Sequence, residues 1–327
     1  MHIKKKMNKN KINNNILTFY NNSSAYTQTI PLISKILPLH NNICCCIDTL
    51  CDIIIINIST NLILTKCSNK QKPEITYICL LSPILNVFAT SSYQTIFIWN
   101  FDTSDNKLEI IKEIYLTSFT FINKIIPILN YNFFAFNSTN NLCIYHNKKD
   151  TYETYFQFEN IQTPIECFIE TSNSKIITVF AYEGLVIWKR EDNIWVKENE
   201  LKCINPNNVS CCGNNSVIEI QDNEIAILGY DMLCLLDLIN VQITERFVLE
   251  KEIPIYHSFE YHQLVEYHEG ESIFVIRKDM VGIFDYNNRM YGEKAKMVLK
   301  VKDVYYSEEN KKLIGINWEK EQIEIWE

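Results

Sequence analysis

The sequence predicts an all-β chain built as one ring of seven four-stranded units. Three observations carry this. Short apolar runs are broken throughout by Asn, Ser, Asp and Lys; Ile, Tyr and Phe dominate over helix formers; and one five-residue pattern recurs seven times. Runs rich in β-branched and aromatic residues, bounded by turn formers, read as strands. A hydrophobic content of 47% in 327 residues is enough for a packed core.

The recurring pattern is an apolar residue, any residue, an apolar or β-branched residue, an aromatic, then often a polar residue. It reads Ile96-Phe97-Ile98-Trp99-Asn100, Leu142-Cys143-Ile144-Tyr145-His146, Leu185-Val186-Ile187-Trp188-Lys189, Val281-Gly282-Ile283-Phe284-Asp285 and Ile323-Glu324-Ile325-Trp326-Glu327. Two weaker copies, Ile53 to Asn57 and Leu233 to Asp237, share the frame. The fourth positions are 56, 99, 145, 188, 236, 284 and 326, at intervals of 42 to 48 residues. Ahead of the copies lie further apolar runs, among them Asn86 to Thr90, Tyr131 to Phe136, Lys175 to Phe180, Glu224 to Leu228, Ser272 to Ile276 and Leu313 to Asn317. Strand-like segments such as Leu108 to Ile114 and Trp195 to Leu201 follow.

This period and the aromatic at the end of the third strand resemble WD40 repeats. The resemblance covers about residues 25 to 327 and implies a seven-bladed β-propeller with four strands per blade. It departs from the family in lacking Gly-His pairs and any literal Trp-Asp; only Leu236-Asp237 and Phe284-Asp285 keep the acid. Ile187 to Lys197 is also similar to hairpins in coat and nuclear-pore propellers of the Sec13 type. The final repeat stops after its third strand, so the last blade needs a strand from elsewhere. The unassigned segment Ala25 to Ile36 is expected to supply it. Residues 1–15 are then expected to form a disordered basic tail, with the propeller over 16–327.

The chemistry-bearing residues point away from an enzyme. Twelve cysteines include the run Cys44-Cys45-Cys46 and the pair Cys211-Cys212, with no C-x-x-C. Strand neighbours point to opposite faces and cannot share an ion, so buried thiols in a reducing compartment, cytoplasmic or nuclear, are expected. His257, His262 and His268 are close in sequence but fall on different faces or beyond a turn. Seven glycines form no phosphate-cradling loop and no nucleophile elbow is recognisable. No cofactor or metal is expected, nor a membrane span, since the longest apolar run, near Ile53 to Ile58, is far too short for one.

Charge is divided along the chain. Residues 1–149 carry 14 Lys and no Arg against 7 acids, while residues 150–327 carry 17 basic and 32 acidic residues. The second half therefore suits a partner with a basic surface. The tail residues Lys4, Lys5, Lys6, Lys9 and Lys11 could contact RNA, which makes a ribonucleoprotein or ribosome-associated factor the alternative to a protein scaffold, monomeric outside its complex.

Six residues before each signature aromatic lies the turn between second and third strands. That position holds Tyr93, Tyr182 and Tyr230 in three repeats, Thr139 in another, and Lys278 and Lys320 in the last two. In WD40 propellers this turn lies on a face where partners dock. Tyr93, Tyr182, Tyr230, Lys278 and Lys320 are thus the candidate protein-binding residues. The competing expectation is tyrosine packed between blades.

Overall fold

The seven signature copies become the third strands of seven sheets, antiparallel apart from a two-residue parallel pairing, Tyr20–Asn21, at the outer edge of blade 1. The computed structural model describes residues 15–16, 20–21 and 32–326, apart from 41, 61, 69–73, 83, 117–120, 139–140, 148–151, 159–160, 162, 181–183, 203–215, 230–231, 250–262, 268–271, 278–279, 296–300, 308–311 and 318–321. Blade 1 runs Ile33–Pro38, Ile43–Asp48, Ile53–Asn57, Leu62–Cys67; blade 2 runs Tyr77–Ser82, Val87–Ser92, Thr95–Asp102, Lys107–Tyr115. Blade 3 comprises Lys124–Ile128, Phe133–Ser138, Asn141–His146 and Thr154–Gln157, and blade 4 Ile165–Glu170, Ile176–Phe180, Gly184–Glu191 and Ile194–Lys202. Blade 5 comprises Val217–Gln221, Glu224–Leu228, Met232–Asp237 and Gln242–Val248. Blade 6 has Gln263–Tyr267, Ser272–Arg277, Met280–Asp285 and Met290–Ala295; blade 7 has Val301–Ser307, Lys312–Asn317 and Gln322–Trp326. Among the described residues no helix is long and apolar enough to cross a membrane.

The first strand of each blade lies against the first strand of the next, and blade 7 returns to blade 1 through Val301–Ser307 against Ile33–Pro38. First strands therefore line the axis and the ring is closed. The apolar interior falls into seven clusters, one at each interface between consecutive blades. Because both faces of an inner strand meet a neighbouring blade, such strands are apolar without alternation. Val87–Ser92 and Ile43–Asp48 are buried at every position. The fourth strands meet solvent, and Gln242–Val248 alternates strictly between exposed and half-buried.

The cysteine run follows this rule. Cys44 and Cys46 pack toward blade 7, Cys45 toward blade 2. The signature residue also has one job in blades 1 to 6: Ile56, Trp99, Tyr145, Trp188, Leu236 and Phe284 all pack at the interface with the preceding blade. In blades 2 and 4 the indole N–H donates to a second-strand threonine, Trp99 to Thr90 and Trp188 to Thr178, each at 2.9 Å. In the other blades the corresponding position is Cys46, Phe136, Ile227, Val275 or, in blade 7 with Trp326, Gly315.

The last blade is closed by an N-terminal strand, but not by the segment expected. Asn15–Ile16 pairs antiparallel with the third strand of blade 7, Asn15 opposite Ile325. Of Ala25 to Ile36, the described part enters Ile33–Pro38, the innermost strand of blade 1, paired with Ile43–Asp48. A short connection to the next strand favours this local hairpin, and Ile33, Ile36 and Leu37 need an interior site that an outer edge lacks. Asn15 therefore belongs to the sheet and not to the tail; Lys4, Lys5, Lys6, Lys9 and Lys11 lie outside the described residues.

Candidate protein-docking face

The candidate site is built from the turns joining second to third strands. In blade 2, Ser92 pairs with Thr95 and leaves Tyr93-Gln94 as a two-residue turn. Tyr93 has φ of 44°, a left-handed conformation that costs a non-glycine residue about 1 kcal/mol. Neighbouring backbone holds it there. The Ile122 N–H donates to the Tyr93 carbonyl at 3.1 Å, and the Leu116 N–H to the Gln94 carbonyl at 2.8 Å. Thr76 adds a bond from its hydroxyl to the Ile122 carbonyl, tying the loop between blades 2 and 3 to the same place.

Three aromatic rings are displayed on this support. Tyr93 is 46% exposed, Phe121 38% and Tyr115 67%. The Tyr93 and Phe121 rings meet edge-on with centroids 5.9 Å apart, and the Tyr115 hydroxyl donates to Gln94 Oε1 at 2.9 Å. Tyr93 is thus at the surface and not wedged in an interface core. Tyr182, Tyr230, Lys278 and Lys320 lie outside the described residues, as do His257, His262 and His268.

Sequence reasoning missed three exposed residues on this face. Leu50 occupies the same turn register in blade 1, six residues before Ile56, and is 74% exposed. Its turn is held by buried Asp48, whose carboxylate accepts the Leu50 and Asp52 N–H groups at 2.9 and 2.8 Å and faces Lys66 at 3.4 Å. The shared register could have revealed Leu50. Nothing in the repeat marks Phe121 or Tyr115, which belong to a connecting loop and an outer strand.

The axial channel offers a cavity of about 390 Å³ lined by Tyr77, Gln263, Glu266 and Tyr305 among aliphatic side chains. Burial pushes the Tyr77 and Tyr305 hydroxyls upward. It also pushes up the thiols of Cys44, Cys45, Cys46 and Cys79, and that of Cys143 to about 12, so these cysteines stay protonated and poorly nucleophilic at neutral pH. None of the nine described cysteines forms a disulfide, and no group able to hold a metal occurs among the described residues.

Among solved structures, the chain is similar to the β-propeller domain of Cps50 (Swd1) from Myceliophteria thermophila, with a TM-score of 0.65 over 96% of this chain and 99% of that one. The fold is a seven-bladed β-propeller. Identity is 10%, so the likeness is one of fold alone. No protein-family model matches this propeller, and no curated protein does.

On the opposite face of the propeller, Glu170 of blade 4 accepts the Leu129 N–H of blade 3 with both carboxylate oxygens, at 2.9 and 2.8 Å. Desolvation, reinforced by nearby Glu219 and opposed by the Leu129 bond, raises the Glu170 pKa to about 7 from 4.5. The folded protein then holds this proton more tightly than the unfolded chain, so stability falls as pH rises from about 4.5 through 7. Glu170→Gln keeps an acceptor for Leu129 and removes the titration. In melts at pH 5 and pH 8 the variant should lose a dependence worth ~1 kcal/mol, a figure reduced for the carboxyl's partial exposure. Equal pH dependence of the two proteins would contradict this.

Proposed function

We propose that this propeller is a non-catalytic interaction platform whose second-to-third-strand turns on blades 1 and 2 dock another protein. The observation that carries the reading is Tyr93: an exposed aromatic held by its neighbours in an unfavourable backbone conformation, edge-on to Phe121, with Tyr115 bonded to the adjoining Gln94 and Leu50 exposed at the same turn register of blade 1. Rigid, exposed aromatics are the commonest anchors of protein interfaces. The acid-rich half of the chain, residues 150–327, suits a basic region on the same or a second partner, and the free thiols suit a cytoplasmic or nuclear setting.

Tyr93→Ala and Leu50→Asp are expected to weaken partner binding about tenfold or more while leaving the melting temperature within a few degrees. Tyr93→Gly sharpens the test. It relieves the left-handed strain and loses the edge contact with Phe121, two opposing effects of about 1 kcal/mol, so stability should barely move while binding falls. Quantitative affinity purification with wild-type and variant protein, paired with thermal melts, reads both. Undiminished capture by all three variants would remove the aromatic face from the reading. Capture of RNA in place of protein, weakening steeply with salt, would favour a ribonucleoprotein role instead.

A further inference from the structure

We propose a second binding site, on the face away from Tyr93: the cleft between blades 2 and 3 receives a segment of another protein in which a large apolar side chain is flanked by Lys or Arg. The cleft has a volume of about 500 Å³ and a floor of Val87, Phe101 and Ile111. Over it stand Ile84, Leu85 and Tyr131, 85%, 63% and 42% exposed. Single exposed apolar residues are ordinary, but three converging on one concavity with an apolar floor mark a recognition surface.

These residues are held open. Asn86, itself buried with φ of 48°, accepts the His40 N–H at 3.0 Å through its side chain and the Phe101 N–H at 3.3 Å through its carbonyl. The Ile84-Leu85 turn is therefore anchored at Asn86 to blades 1 and 2. Across the cleft, Leu129, Asn130 and Tyr131 are all left-handed, with φ of 51°, 53° and 64°. Asn147 spans both walls, its amide donating to the Leu81 carbonyl at 2.9 Å and the Tyr131 carbonyl at 2.8 Å.

The charge of the rim selects the occupant. Among the described lining residues Asp102 and Glu109 are acidic and none is basic; Lys107 reaches Glu109 at 2.9 Å from outside the lining. Asp102 is fixed by Ser104, whose N–H and hydroxyl donate to it at 2.8 and 2.7 Å. A carboxylate beside an apolar hollow favours a cationic residue next to an apolar one and disfavours an acidic segment.

The test uses the full chain and three labelled peptides: alternating Lys and Leu, alternating Glu and Leu, and alternating Lys and Ser. Fluorescence anisotropy should show saturable binding of the Lys–Leu peptide, weakened about tenfold by Leu85→Asp and, separately, by Ile84→Asp, with unchanged melting temperatures for these surface variants. Hydrogen exchange should slow at residues 82–87 and 129–132 on adding that peptide. Equal binding of the Lys–Ser peptide, or undiminished binding by both variants, would overturn the proposal. A concentration-dependent dimer in sedimentation that Leu85→Asp dissolves would also overturn it, by assigning the cleft to a second copy of the chain.

Discussion

Deleting residues 1–31 is expected to leave a folded propeller, whereas deleting residues 1–38 is expected to abolish folding. The shorter deletion removes two small pairings at outer edges, Asn15–Ile16 on blade 7 and Tyr20–Asn21, which runs parallel to Leu62–Cys67 of blade 1. Each is a matter of backbone hydrogen bonds worth about 0.5–1.5 kcal/mol apiece. The longer deletion also takes the innermost strand of blade 1, which touches blade 7 on one side and blade 2 on the other. Ile33, Ile36 and Leu37, at 2%, 0% and 6% exposure, leave with it. At about 1.5–3 kcal/mol per buried aliphatic side chain their loss amounts to roughly 5–9 kcal/mol. A whole domain has about 5–15 kcal/mol to lose. Circular dichroism melts with size-exclusion chromatography separate the two deletions. Equal melting temperatures would show that the ring does not depend on this strand.

Trp99→Ala should destabilise the protein by about 3–5 kcal/mol, as truncating a buried aromatic does. Trp99 is 3% exposed, lies parallel to Phe88 with centroids 6.3 Å apart, and seals the interface between blades 1 and 2. Its hydrogen bond to Thr90 allows the polar and apolar contributions to be told apart. Thr90→Val is nearly isosteric but strands the indole N–H, a loss of about 1–3 kcal/mol. Trp99→Phe strands the threonine hydroxyl and opens a small cavity. The double variant removes both polar groups, so it should cost clearly less than the sum of the singles. Chemical denaturation of the four proteins measures this; strict additivity would mean that the 2.9 Å contact carries no stability of its own. Trp188 and Thr178 should behave alike with smaller values, because Trp188 is only half-buried.

What the sequence alone determined is what repeats. A residue that must fill the same interface in blade after blade leaves a periodic trace, and so the count of blades, the third strands, and the second strands ahead of them were legible. The Trp–Thr pairing was not legible, because the repeat does not dictate it: Thr90 and Thr178 accompany Trp99 and Trp188, but Gly315 stands at that position with Trp326 in blade 7. Tyr93 was singled out by its register in the turn between second and third strands, a register that Leu50 shares.

The tertiary structure decided what happens once. Only the closed ring shows that Ile33–Pro38 is an inner strand and that Asn15–Ile16 closes blade 7, since closure joins chain ends that share no periodicity. The same holds for both proposed binding surfaces. Phe121 reaches Tyr93, Tyr115 reaches Gln94, and Ile84 faces Tyr131 across a cleft, through segments that the repeat does not constrain. A core position is dictated by the interface it must fill and recurs with it. A docking position answers to a partner outside the chain, so it is visible only where the fold has already placed its residues side by side.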